Sequence, residues 1–202
     1  MMTLASSFSD AGRVFTPADI IRWDAHAFGD DTRYERVTVD GRDAIHAVCE
    51  PGAASGLAMR EGIDLKETPV LEWEWRVDRT FAGLDESRKS GDDYAARLYA
   101  VDEHPFIPWR ARSINYVWAS EKAQGSHWAN PYQSRVTMIA VRSGSPPLAG
   151  EWRTERRNLP DDFRRYDGRE PERIDALALM TDCDDAGQPV EAWYGEIRLL
   201  AE

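Results

Sequence analysis

The fold class is decided by Val70-Leu71-Glu72-Trp73-Glu74-Trp75-Arg76-Val77, a stretch in which apolar and charged residues alternate. Successive side chains of a β-strand point to opposite faces, so Leu71, Trp73 and Trp75 share one face and the charged residues occupy the other. A helix would scatter the tryptophans around its circumference. The stretch therefore predicts a strand that is buried on one side.

Runs of the same kind recur along the chain and are separated by turn residues. They lie at 34–39, 43–49, 56–60, 94–101, 113–119, 135–142, 151–159, 174–181 and 193–200, and short helical turns are predicted at 17–21 and 161–166. This pattern predicts an all-β fold, a two-sheet antiparallel β-sandwich that is jelly-roll-like, as in concanavalin-like or galactose-binding-like domains. The sequence contains no repeat or linker, so residues 1–202 are predicted to form a single β-sandwich domain.

The composition of the 202 residues is that of a soluble globular protein, with 42% hydrophobic and 30% charged residues. The formal net charge of −11 argues against nucleic acid or a membrane as partner and leaves the oligomeric state open. No stretch approaches 18 apolar residues, and the first residues lack the pattern of a signal peptide. The sequence as written predicts a cytoplasmic protein, or an exported one whose signal was removed.

The two cysteines, Cys49 and Cys183, are too few for a disulfide framework and lack the spacing of a metal site. Both lie in or beside apolar strands, where buried sulfur is usually inert packing. One buried disulfide and two free thiols are equally compatible with the sequence.

The eight tryptophans divide by their position in the predicted strands and loops. Strand parity predicts that five of them point into the core: Trp73, Trp75, Trp118, Trp152 and Trp193. The other three lie in predicted loops and are better placed to stack on a ligand: Trp23, Trp109 and Trp128.

Seven short segments carry a resemblance to a known family. They are 71–77 (LEWEWRV), 89–99 (KSGDDYAARLY), 115–118 (NYVW), 130–132 (NPY), 155–158 (ERRN), 180–182 (MTD) and 192–197 (AWYGEI). Together they resemble a bacterial domain-of-unknown-function family, number 3047, over roughly residues 56–200. The resemblance implies an all-β fold and brings no established activity, and members of the family often resemble exported proteins. The closing strand is also similar to that of jelly-roll carbohydrate-binding modules and polysaccharide lyases, which is a similarity of fold.

Opposite the predicted core faces lie polar and aromatic residues that suit a polyhydroxylated ligand. Carboxylates accept hydrogen bonds from hydroxyls, arginines hold acidic groups, and aromatic rings stack on the apolar faces of sugars. The predicted ligand-binding residues are Arg97, Tyr99, Asn115, Trp128, Arg153, Glu155 and Tyr194, with Trp128 as a lid. We therefore predict a jelly-roll binding module for a carbohydrate or a related polar small molecule. The alternative is a solvated sheet face with cross-strand ion pairs.

An enzyme on the same scaffold is the second hypothesis. A polysaccharide lyase needs a cation or amide beside a uronate carboxylate and a base, for which His127 and Tyr194 are candidates. A glycoside hydrolase needs two carboxylates about 5–10 Å apart, for which Glu74 and Glu155 are candidates. The sequence has neither a GxSxG nucleophile elbow nor a glycine-rich phosphate loop. A third class, a partner-binding protein, would instead expose an apolar patch.

Two acidic turns offer oxygen ligands for a cation. The first, at 90–94, contains Asp92 and Asp93, and the second, at 181–187, contains Asp182 and Asp184. Asp182 and Asp184 are the predicted metal ligands, for a structural calcium ion, and no other cofactor is expected. The alternative for each is an ordinary turn with aspartate hydrogen bonds. The four histidines have no paired spacing, so no zinc site is expected: His26, His46, His104 and His127.

Overall fold

The computed structural model describes residues 12–103 and 110–201, and strands dominate both ranges. The strands are β1 (Arg13–Phe15), β2 (Asp24–Ala27), β3 (Arg33–Val39), β4 (Arg42–Cys49), β5 (Ala54–Met59), β6 (Ile63–Asp64), β7 (Val70–Val77), β8 (Arg97–Asp102), β9 (Arg112–Ala119), β10 (His127–Ala129), β11 (Val136–Ser143), β12 (Arg153–Asn158), β13 (Arg173–Ile174), β14 (Ala176–Asp182) and β15 (Val190–Leu200). The four-residue helices α1 (Pro17–Ile20) and α2 (Leu159–Asp162) lie at or beside the predicted helical turns. No helix within the described residues is long and apolar enough to cross a membrane.

Two large sheets form the body of the fold. The six-stranded sheet has the order β12-β7-β15-β4-β3, and β1 pairs with the second half of β15. The seven-stranded sheet has the order β10-β11-β9-β8-β14-β5-β2, in which β9 and β11 run parallel. A small third sheet joins β6 and β13. The predicted all-β, jelly-roll-like sandwich is confirmed, and the parallel pair is a departure from a purely antiparallel arrangement.

The core lies between the two large sheets and contains the indole rings that strand alternation predicts. Trp73 and Trp75 are 1% and 0% exposed. Their ring centroids lie 5.1 Å from Tyr116 and 5.7 Å from Trp118, respectively, both on β9 of the opposite sheet. Each indole removes roughly 200 Å² from water, which at about 25 cal/mol per Å² favours folding by about 5 kcal/mol before entropic costs. These contacts fasten one sheet to the other.

Strand parity is wrong for Trp193, and the cause is an irregularity in β15. The pairing of β15 with β7 shifts register between Tyr194 and Ile197, which reverses the alternation of side chains at that point. Trp193 therefore faces outward, where its ring stacks on His46 at 4.7 Å between centroids. Tyr194 faces inward, 1% exposed.

Trp152 is a second correction to the predicted core. It lies just before β12 and is half-buried, because alternation places it on the same side as Thr154, which pairs with Glu74 on the outer face of the six-stranded sheet. The guanidinium of Arg42 lies 5.6 Å from the centre of its ring. Trp118 is buried in the core as predicted.

A disulfide joins Cys49 to Cys183, with their Cα atoms 6.1 Å apart. Cys49 is the last residue of β4 in the six-stranded sheet, and Cys183 directly follows β14 in the seven-stranded sheet. Both residues are fully buried. Of the two alternatives that the sequence left open, the structure has the disulfide, which ties the sheets together at one end.

Candidate functional site

Two adjoining cavities lie on the outer face of the seven-stranded sheet, the face turned away from the core. Their volumes are about 320 and 140 Å³. They share Phe28, Tyr99 and Met180 in their walls, so they form one continuous depression, which we call the groove. Small residues of β5 and β14 leave room for it: Gly56, Ala58, Ala176 and Ala178.

Arg97 enters the larger cavity from β8 as a buried cation, 6% exposed. Its guanidinium forms an ion pair with Asp182 on the neighbouring strand β14. The same guanidinium lies 5.3 Å and 5.4 Å from the ring centres of Tyr94 and Tyr99. Burial is the largest single influence and would lower the pKa of Arg97, but the combined attraction of Asp182, Asp92 and the two tyrosines outweighs it and holds that pKa above its ordinary value. Arg97 therefore stays charged and fixed in place.

Asp92 links the turn before β8 to the loop after β10. Its Oδ2 accepts a hydrogen bond from Asn130 Nδ2 at 2.6 Å, and its Oδ1 accepts one from the Tyr94 hydroxyl at 3.3 Å. Burial raises the pKa of the Asp92 carboxyl, while Arg97 opposes the rise. The Asp92 carboxylate thus holds both segments against the wall of the groove.

The two acidic turns predicted from the sequence meet in space. Oxygens of Asp93, Asp182 and Asp184 lie within 4.8 Å of one another, and we call these three residues the acidic cluster. Asp93 is 0% exposed, and its Oδ2 accepts the backbone N–H of Ala186 from the second turn. Burial raises the pKa of Asp93 to about 7, and the nearby charge of Asp184 adds to the rise.

The loop 130–133 forms the opposite wall of the larger cavity. Asn130 Oδ1 accepts the backbone N–H groups of Tyr132 and Gln133 at 2.9 and 3.0 Å, which fixes the turn. The Tyr132 hydroxyl donates to Asp185 Oδ2 at 2.9 Å across the cavity, and the side chain remains largely exposed. A planar ring is thereby held at the mouth of the groove.

Phe28 is a site residue that the sequence interpretation missed. It is 70% exposed and forms part of both cavities, with its ring centroid 4.7 Å from that of His26 in an edge-on arrangement. A phenylalanine that stays largely exposed gains little from folding, so its place beside a depression marks a contact surface. The available sequence signal was a single large apolar residue placed before Gly29 and two aspartates.

The larger cavity carries an excess of negative charge. Its charged wall residues, within the described part of the chain, are Asp92, Asp182, Asp184, Asp185 and Arg97. Like charges about 4 Å apart repel by about 1 kcal/mol in water and about 4 kcal/mol at the effective dielectric constant of a protein surface. The groove therefore opposes anionic ligands.

The model of the family described as "Protein of unknown function (DUF3047)" matches residues 21–198. The chain belongs to the DUF3047 family. The match covers the segments whose resemblance the sequence suggested, together with the groove and the strands of both large sheets apart from β1 and the last residues of β15. No curated protein matches this DUF3047 chain at a significant level.

Solved structures that resemble the DUF3047 fold do so at low identity. The K2 cleaved adhesin domain of Lys-gingipain has a TM-score of 0.48 at 8% identity, with 94% of this chain and 99% of that one covered. A thermostable cellulase derived from Cel12A of Rhodothermus marinus has a TM-score of 0.45 at 10% identity, with 94% and 97% covered. The xyloglucanase domain of NopAA from Sinorhizobium fredii, in complex with cellobiose, has a TM-score of 0.42 at 6% identity, with 91% and 96% covered. Similarity at this level says nothing about the function of the DUF3047 chain.

Some of the site residues predicted from the DUF3047 sequence do meet in the groove. Arg97, Tyr99 and Asn115 line the larger cavity, as do the predicted metal ligands Asp182 and Asp184. Asn115 is 1% exposed and accepts a hydrogen bond from Ser113 at 3.1 Å. The roles of these residues stay predictions.

Tyr194 and Glu155 lie away from the groove, so the expected convergence is wrong for them. The Tyr194 hydroxyl is buried between the sheets, where it donates to the backbone oxygen of Met180 at 2.7 Å. Glu155 belongs to β12 of the six-stranded sheet and accepts a hydrogen bond from Trp75 Nε1 at 3.2 Å. Alternation assigns a residue to a face of its strand, but it does not assign the strand to a sheet.

Arg153 and Glu74 also lie on the six-stranded sheet and do not reach the groove. Arg153 forms an ion pair with Glu151 at 2.6 Å. Glu74 lies 3.6 Å from Arg42 on the outer face of that sheet. Glu74 and Glu155 thus lie on a different sheet from the cavities.

The predicted lid and loop aromatics have other contacts. Trp128, on β10, is half-buried and packs beside the small cluster formed by Tyr94 and Met138, outside the two cavity walls. His127 is exposed, with its ring 4.9 Å from that of Tyr166. Trp23 packs edge-on against Phe15 at 5.4 Å. Two further residues singled out from the sequence, His104 and Trp109, lie outside the described residues.

Proposed function

We propose that this protein is a binding module that takes a neutral saccharide, or a related polyhydroxylated small molecule, in the groove. The observation that supports the proposal most is the pair of adjoining cavities in which aromatic rings and hydrogen-bonding groups face the same open space. The volume of the larger cavity, about 320 Å³, lies at the lower end of the range usual for small-molecule sites.

The side chains of the groove match the two kinds of surface that a sugar ring presents. Phe28 and Tyr132 offer exposed rings on which the apolar face of a sugar stacks. Asn115 offers an amide, and the aspartates offer carboxylate oxygens that accept hydrogen bonds from hydroxyls. Phe28 belongs to both cavities, so a ligand longer than one ring would pass over it.

The charge of the groove favours a neutral ligand over an acidic one. Arg97 is the cation that a lyase would use against a uronate, and its guanidinium is already paired with Asp182. The remaining carboxylates repel a uronate. The bases suggested for a lyase, His127 and Tyr194, lie outside the groove. These positions support binding over the lyase alternative.

A titration series tests the proposal. Purified protein is screened on an array of neutral and uronate-containing glycans, and the hits are measured by calorimetry with oligosaccharides of equal length. We expect saturable binding of a neutral saccharide and at least about tenfold weaker binding of its uronate counterpart, which corresponds to about 1.4 kcal/mol. Absence of binding to every saccharide in a folded sample would refute the proposal. If the protein releases new reducing ends from a saccharide, it is a hydrolase and not only a binding module.

The contribution of Phe28 is tested with a matched control. Phe28 and Leu148 are both 70% exposed, but only Phe28 lines the groove. We expect Phe28→Ala to weaken binding of the best saccharide at least about tenfold, because the stacking surface is lost. Leu148→Ala should leave the affinity unchanged, and both variants should melt like the parent. Equal affinities of the two variants would exclude a stacking role for Phe28.

A further inference from the structure

Two turns that are distant in sequence are joined at one end of the groove. The first precedes β8 and contains Asp93; the second follows β14 and contains Asp184. The backbone N–H of Tyr94 donates to Asp182 Oδ1 at 3.2 Å, and that of Ala186 donates to Asp93 Oδ2. These two bonds hold carboxylate oxygens of the acidic cluster within 4.8 Å of one another.

Asp93 supplies an independent indication that something binds between the turns. The residue is 0% exposed, and its Oδ1 has no hydrogen-bond partner among the described residues. A buried carboxylate oxygen without a donor is unfavourable, because it has lost water and gained nothing in return. A cation bound by the cluster would satisfy that oxygen.

Arg97 is not the cation that satisfies Asp93 Oδ1. Its guanidinium is bound to Asp182 Oδ2, and it acts on the Asp182 side of the cluster. A carboxylate has about four lone-pair positions, so Asp182 retains acceptor capacity after its bonds to Arg97 and Tyr94. Asp184 is exposed and leaves the cluster open to water.

We propose that this protein binds a hard divalent cation, for which calcium is the first probe, through Asp93, Asp182 and Asp184. Three carboxylates without a histidine or cysteine form an oxygen-only ligand set, which suits calcium or magnesium rather than zinc. Asp182 and Asp184 also line the larger cavity, so water completes the coordination from the groove side. The inference does not rest on the proposed saccharide. Because a bound cation would offset part of the negative charge of the larger cavity, the neutral and uronate saccharides are compared in EDTA.

Calorimetric titration of the full chain, disulfide intact and first stripped with EDTA, tests the site with CaCl2 and MgCl2 separately. We expect one ion per chain. At about one hundred times the dissociation constant, the thermal midpoint should rise by about 5–10 °C. EDTA should reverse that rise. No binding of either ion to the folded protein would overturn the proposal.

Two variants locate the ion, and a third serves as a control. Asp184→Asn removes a charge from an exposed position and is expected to fold and to weaken binding at least tenfold. Asp93→Asn keeps the shape of the buried side chain and should weaken it further. Asp161→Asn changes an exposed aspartate paired with Arg164, away from the cluster, and should bind like the parent. Parental affinity in both cluster variants would put the ion elsewhere and overturn the assignment.

Discussion

Arg97 is the residue on which the wall of the groove depends most. It places a positive charge in a buried position where Asp92 and Asp182 both lie close, and its aromatic neighbours exclude water from it. Removing one partner of such a pair leaves an uncompensated buried charge, whereas removing both leaves a less polar interior. Its contribution to stability is therefore inseparable from that of Asp182.

A double-mutant cycle measures this coupling. In EDTA, Arg97→Met should lower the free energy of unfolding by about 3–5 kcal/mol, because Asp182 then stays buried without its cation. The double variant Arg97→Met/Asp182→Asn should recover more than half of that loss. Chemical denaturation monitored by tryptophan fluorescence gives the values.

The control for this cycle is Arg60→Met. Arg60 pairs with Glu103 at the surface, with both side chains about half exposed, so its replacement should change stability by less than about 1 kcal/mol. If Arg97→Met were as mild as Arg60→Met, the buried pair would not stabilise the fold.

At the scale of elements, β15 is the strand whose details the sequence did not reveal. Its register shift at Gly195 and Glu196 exchanges the faces of Trp193 and Tyr194. A Cβ placed on Gly195 would lie 2.9 Å from the Cβ of Glu74 and 3.5 Å from the ring of Trp152. Glycine is therefore required where β15 passes beneath those two side chains.

Replacement of that glycine tests the packing. Gly195→Ala should lower the free energy of unfolding by about 1–3 kcal/mol, because the Glu74 side chain, whose Cβ would lie only 2.9 Å from the new methyl group, must shift to admit it. Gly62→Ala is the matched control, since its Cβ would meet only the guanidinium of Arg173 on an exposed segment. The thermal midpoint of Gly195→Ala should lie below that of Gly62→Ala, and equal midpoints would contradict the packing argument.

The sequence predicts positions correctly where a strand alternates without interruption, and it fails where a position depends on an irregularity or on strand pairing. β7 follows its pattern without interruption, so Trp73 and Trp75 are buried as alternation requires. Arg97 and Asn115 were found because their strands also alternate regularly up to the groove. Phe28 was not found, because its position depends on where β2 joins the sheet, beside β5, and pairing partners are set by contacts distant in sequence.

At the scale of the whole molecule, the Cys49–Cys183 disulfide ties together residues 134 positions apart. Closing so long a loop restricts the unfolded chain, and loss of a native disulfide typically costs about 2–5 kcal/mol. The double variant Cys49→Ala/Cys183→Ala should lose stability in that range by denaturant unfolding. A loss below about 1 kcal/mol would show that the sheets are held by packing alone.

The disulfide also bears on where the protein matures. Disulfides form and persist in oxidising compartments and are rare in the cytosol. We therefore propose an oxidising compartment, against the cytoplasmic expectation that the sequence as written suggested. Thiol labelling of denatured protein from its native cells tests this, and two labelled cysteines per chain would contradict it.

The position of β15 has a consequence for biosynthesis. It lies between β7 and β4 in the six-stranded sheet, although a ribosome makes it after both of them. Until residues 190–200 have left the exit tunnel, the β12-β7 pair and the β4-β3 pair are not joined to each other. The indoles of Trp73 and Trp75 on β7 are therefore exposed to solvent during synthesis. We therefore expect this sheet to close only late in synthesis or after it, and the apolar faces of β4 and β7 to be exposed to aggregation until then.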